Sequence, residues 1–136
     1  MQIVIAGILA GLGMAVVMGI GERLGLAKIN LPMIDGRFFF KDRLNNTTTY
    51  LVGLLIHMIT SITFAVGYIL FRHIVPIQMT NIAWGVAWAF ILWIVFGLSV
   101  SPVTGYGLFG SKVGQWTWLE LLITHLAFGL ILCFLV

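Results

Sequence analysis

Seven basic, four acidic and three histidine side chains are the whole titratable complement of this 136-residue chain, apart from its tyrosines and one cysteine, and two of the histidines fall inside long apolar runs. His57 sits in LLIHMITSITFAVGY and His125 in THLAFGLIL. An imidazole titrates near neutrality, binds metals through either nitrogen and passes protons. Ionisable groups within an apolar span are costly and by default mark a working site. Three chemistries suit this pair. The imidazoles ligate a metal ion, with Glu22 or Glu120 completing the shell; they hold a haem b as axial ligands, with Gly53 and Gly129 leaving room for the ring; or they relay protons with the carboxylates. Met14, Met18 and Met58 add thioether sulfurs suited to a cuprous ion. Against all three stands a plainer reading, in which each ring is neutral and bonded to a backbone carbonyl or threonine of a neighbouring helix.

The spacing around both histidines points the same way. Gly53, His57, Ser61 and Ala65 recur every four residues, as do Leu121, His125, Gly129 and Cys133. On a helix each set forms one stripe, and small residues are the face on which membrane helices approach each other. Counted from Thr49 and Thr117, each histidine comes about eight residues into its helix, or about 12 Å at 1.5 Å per residue. Both rings are therefore expected at one depth, in the half of the membrane that also receives Glu22, Glu120, Ser99 and Ser101.

The elements that carry them are set by composition. With 61% apolar and 8% charged residues, the chain is not a water-soluble domain. Four runs, roughly 3–24, 48–72, 82–101 and 117–136, reach the length of about 20 residues that a bilayer core demands. Backbone amides in hydrocarbon must be satisfied internally, so these runs are helices. The expected fold is all-α: one domain of four transmembrane helices in an antiparallel bundle. The first run lacks a basic leader and reads as a retained helix rather than a signal peptide. Cys133 is the only cysteine, so no internal disulfide forms.

Helix 1 carries Gly7, Gly11, Ala15 and Gly19 on one face, a ridge for tight packing against a helix of this chain or of another subunit. The segment 25–47 reads as an interfacial loop, its Phe38, Phe39 and Phe40 set among Arg37, Lys41 and Arg43, which meet lipid headgroups. The segment 102–115, with Pro102, Gly105 and Gly107, reads as a glycine-rich turn folded back toward the bundle. Gly25 is the expected C′ glycine that ends the first span near Leu24; Asn45, Asn46 and the threonines after them are N-cap candidates for the second span and Asn81 for the third, and Thr117 with Glu120 forms a capping box. Trp84, Trp88, Trp116, Trp118, Tyr50 and Tyr106 suit an aromatic belt at the membrane faces, whereas Trp93 is set for packing. Lysine and arginine are concentrated in the connections 1–2 and 3–4, which places those in the cytoplasm and both termini outside. No nucleic-acid partner is indicated.

The strings GERLGL, HMITSITFAVGY, SPVTGYGLFG and THLAFGLIL resemble those of a loosely defined group of small four-helix membrane proteins of bacteria and archaea with no established function. The resemblance covers nearly the whole chain and implies a four-helix membrane fold; the expected location is the inner membrane of a prokaryote. It also suggests that His57, Pro102, Gly105, Gly107 and His125 belong to one arrangement. Without a recognisable catalytic set, the expected role is a small accessory or structural subunit of a larger membrane complex, or of a homo-oligomer, and enzymatic activity is not favoured. The alternatives are a metal- or haem-binding redox or sensor protein built on His57 and His125, and a small transporter or proton-relay component.

Overall fold

A computed structural model describes residues 2–41 and 43–136. Four helical spans, Gln2–Arg23, Asn46–Ile74, Asn81–Val103 and Thr117–Leu135, are long and apolar enough to cross a membrane. They pack as an antiparallel bundle, and the described residues contain no strand.

The first span is helix α1 (Gln2–Arg23). It ends where Gly25 turns to φ +70°, with the Leu26 amide donating to the Gly21 carbonyl and the Gly25 amide to that of Glu22. This is the six-to-one, five-to-two bond pair that a left-handed glycine allows at a helix end.

The chain then does something that an interfacial loop would not. Its Leu31 amide meets the Met18 sulfur at 3.2 Å, more than a turn back from the end of α1, so the segment re-enters the bundle. There helix α2 (Leu31–Phe40) begins, capped by Asn30, whose side chain accepts from the Met33 amide. Ten residues cover only about 15 Å, half a bilayer core. The expectation of a loop lying flat among the headgroups is corrected accordingly: α2 is a short helix fastened along the start of α3 (Asn46–Ile74). Contact is close enough that a Cβ on Gly53 would strike the Pro32 carbonyl, and one on Gly36 the Thr49 carbonyl. Phe38, Phe39 and Phe40 remain exposed at the outer end of α2.

The ridge on α1 is spent within the chain. A Cβ on Gly7 would come 2.8 Å from the Ile62 Cα, and one on Gly11 would run into the Ser61 hydroxyl, so both glycines are covered by α3. Ala15 is half-buried, and beside Gly19 there is open space.

Helix α4 (Asn81–Val95) is capped by Thr80, not Asn81; the Asn81 side chain instead accepts from Arg72 at 3.2 Å. Trp84 and Trp88 also depart from the expected belt. Trp84 is buried, both indoles pack on Phe71, and Trp88 also meets Tyr68, forming an aromatic seam between α3 and α4.

After Val95 the helix widens into a π turn, Phe96–Val100, and closes with the short helix α5 (Ser101–Val103). The glycine segment that follows folds back on the bundle. Ser101, fully buried, donates to the Gly107 carbonyl at 2.6 Å and accepts from the Gly110 amide at 2.9 Å. These bonds seat Phe109 against Gly97 and Trp93. Pro102 lies in the first turn of α5, while Gly105 is exposed with φ +88°.

The last span is α6 (Thr117–Leu135), whose N-terminus has no side-chain cap. It meets α4 through Gly85 and Gly129, each of which would drive a Cβ into the other's carbonyl. Helix α1 touches both α3 and α6, while α4 touches α6.

Candidate functional site

His57 is buried at 6% exposure and His125 at 4%, so both stripes turn inward. Their partners differ. The His57 Nδ1 lies 3.0 Å from Asp35 Oδ2 on α2, and its Nε2 is buried without a hydrogen-bond partner among the described residues. The His125 Nδ1–H donates to the Leu121 carbonyl at 2.6 Å, one turn back in its own helix, and Phe96 packs against its ring with centroids 5.6 Å apart. His125 thus meets a backbone carbonyl as the plain reading has it, but one of its own helix and not of a neighbour. His57 does not.

The rings also miss a common level. Gly11 of α1 abuts Ser61, and Gly13 abuts Ile131. Counting back four residues to His57 and six to His125 sets His57 level with about residue 15 of α1 and His125 with about residue 19, so His57 lies deeper by about 6 Å. The early start of α3 at Asn46 is the reason.

These positions bear on the metal and haem expectations. Among the described residues no group of three or more His, Cys, Asp or Glu side chains converges as a metal site. Glu22 is exposed at the end of α1, about seven residues and 10 Å along the axis from the level of His57. Gly53 and Gly129, the glycines that were to give a haem ring its room, have given that room to backbone: the Pro32 carbonyl fills one space and the Gly85 carbonyl the other. The residues do not fit a haem held between His57 and His125.

Glu120 also has a partner that the capping-box pattern does not foresee. Both its oxygens accept from the Lys28 amide at 3.0 Å, and Oε1 accepts from the Ile29 amide at 2.8 Å. It serves orphaned amides of the re-entrant segment rather than those of its own helix. Arg37, Lys41 and Arg43 are exposed, where headgroups would meet them.

The residue that sequence reasoning missed is Asp35. One feature of the sequence marks it: LPMIDGRFFF is an apolar run with a single carboxylate in it, the counterpart of the lone imidazole in the second span. A carboxylate facing Nδ1 holds the ring in the Nδ1–H form and leaves Nε2 with a lone pair. The Asp35 side chain keeps 19% exposure against 8% for that of His57, so the carboxylate is the more open end of the dyad and the imidazole the more enclosed. Such an arrangement can accept a proton or a hydrogen-bond donor at Nε2 and stabilise the resulting charge. Compared with known protein families, curated proteins and solved structures, the chain matches none.

Proposed function

We propose that the chain is a small membrane carrier of protons that works through the Asp35–His57 dyad. The observation that carries this reading is the buried, unpartnered Nε2 of His57 beside an Nδ1 held by a carboxylate. A buried polar atom without a partner costs about 1–3 kcal/mol, and a membrane interior makes such an orphan harder to tolerate unless it has work to do. A proton arriving at Nε2 gives an imidazolium that Asp35 neutralises. Loss of the Nδ1 proton to Asp35 Oδ2 then leaves a neutral ring protonated at Nε2 and a neutral carboxyl, from which the proton leaves by the more exposed carboxyl end. A flip of the ring, which brings the nitrogen that holds the proton round to Asp35 and turns the bare nitrogen to the far side, resets the dyad with one proton carried across.

Gly7 and Gly11 are covered by α3 of the same chain, so these two glycines of the ridge give no argument for a partner subunit. The carrier reading is supported by two segments that re-enter the bundle from one side: Ile29 of the first abuts Gly110 of the second. Irregular backbone at such a depth is tolerated where protein or water surrounds it. The distribution of lysine and arginine supports a cytoplasmic location for this face, with both termini outside.

The test is proton flux in liposomes holding a pH-sensitive dye, driven by a potassium diffusion potential. Wild type is expected to acidify the lumen faster than empty liposomes, and His57→Ala and Asp35→Asn to fall to the empty rate. Equal rates for wild type and His57→Ala would remove the proposal.

A further inference from the structure

Between the end of α1, the connector 25–28 and the start of α6 lies a cavity of about 660 Å³. Its size is that of a small-molecule site, about 300–1,000 Å³. Val17, Leu119 and Ile123 give it apolar walls, and the strongly exposed Trp116 stands at its rim. Two charged residues line it, Lys28 and Glu120, and they are not equivalent. The carboxylate of Glu120 already accepts three bonds from the Lys28 and Ile29 amides. The ammonium of Lys28 has no carboxylate pairing with it among the described residues.

Glu120 also fixes where that ammonium goes. Because it grips the Lys28 backbone, the lysine side chain reaches toward the turn before α6: a Cβ built on Gly114 would lie 3.3 Å from Nζ and 3.5 Å from Cδ. The same Cβ would stand 3.4 Å from the Thr117 hydroxyl oxygen. A cation and a hydroxyl therefore converge on one side of an apolar chamber, and the absent side chain of Gly114 keeps the space between them open. An apolar body with an anionic end fits this shape, and in a membrane the lipid itself has both.

We infer that this cavity is a specific site for one anionic phospholipid of the surrounding leaflet, an acyl chain lying against Val17, Leu119 and Ile123 and the phosphate on Lys28 Nζ. Charge-assisted bonds to phosphate are the stronger class of hydrogen bond, and the choline ammonium of a zwitterionic lipid offsets the phosphate charge that an anionic lipid keeps. The site is separate from the His57 dyad, so its test does not depend on flux.

Native mass spectrometry of the protein in mild detergent, with dioleoylphosphatidylglycerol and dioleoylphosphatidylcholine competing, reads the preference directly. Wild type is expected to keep one phosphatidylglycerol per chain with about tenfold preference. Lys28→Gln should reduce that preference to near unity and Lys28→Arg should restore it. Gly114→Leu, whose side chain would occupy the space between Lys28 Nζ and the Thr117 hydroxyl, should lose the preference, and Arg72→Gln, at the other end of the bundle beside Asn81, should leave it unchanged. As a readout that needs no lysine variant, phosphatidylglycerol with brominated acyl chains should quench tryptophan fluorescence, and Trp116→Phe should remove part of that quenching. Equal retention of the two lipids by wild type, preference kept in Lys28→Gln, or displacement of the phospholipid by equimolar palmitate would overturn the assignment.

Discussion

Asp35 and His57 meet at 3.0 Å, although 22 residues apart in the chain and on helices of different kinds. One helix crosses the membrane; the other is a ten-residue half-span laid along it. The contact exists because Gly53 and Gly36 let the two backbones touch, bringing the Asp35 carboxylate within reach of a ring one turn farther along α3.

Removing one member of this pair strands the other. Asp35→Ala is expected to cost about 1–3 kcal/mol through the unsatisfied imidazole N–H. The double variant Asp35→Leu with His57→Phe should regain most of that loss, because two apolar groups replace two polar ones. Reversible unfolding in dodecyl sulfate, followed by circular dichroism, measures both. Strictly additive losses would show that the two side chains are not coupled.

Close backbone contact makes the response to a single methyl position-dependent. Gly53→Ala would drive its Cβ into the Pro32 carbonyl and force α2 away from α3, at about 1–3 kcal/mol for overpacking. Gly19→Ala meets nothing within 4 Å and should be neutral or slightly stabilising. Thermal melts of the two variants in the same detergent compare them, and a cysteine placed at Ile34, buried in wild type, should become reactive only in the Gly53→Ala background.

Glu120 holds the re-entrant connector from outside it. Glu120→Ala removes the acceptor of two backbone amides, for which about 1–3 kcal/mol is expected, whereas Glu120→Gln keeps one acceptor oxygen and should lose less. Limited trypsin digestion is the readout: cleavage after Lys28 should accelerate in the alanine variant, with the glutamine variant between it and wild type. Unchanged cleavage would mean that the connector is held by other contacts.

Ser101 plays the matching part in the second segment. Ser101→Ala deletes one donor and one acceptor at a fully buried position, freeing the Gly107 carbonyl and the Gly110 amide. A loss of about 1–3 kcal/mol and faster trypsin cleavage after Lys112 are expected. A variant as resistant as wild type would assign the fold of this segment to the Phe109–Trp93 packing instead.

What the sequence alone determined is the solvent and the inward faces. Long apolar runs have only one way to satisfy their amides in hydrocarbon, so four spans follow from composition, and the four-residue spacing of small residues names the sides of α1 and α3 that touch. The Gly25 helix end is legible because it depends on residues only a few positions apart, and so is a polar cap within 45–49, although the structure chose Asn45 among the candidates there. The tertiary structure decided everything that depended on which group comes near. LPMIDGRFFF is too short to span and too apolar for a loop, and only packing against Gly53 makes it a docked helix and Asp35 a partner for His57. A carboxylate at position 120 satisfies amides wherever it finds them; its own helix and the distant 28–29 connector offer the same chemistry, and only the fold brought the second pair closer. A glycine likewise announces that something approaches, but not what: at 53 and 129 the sequence left room for a cofactor, and the folded chain filled it with its own backbone carbonyls.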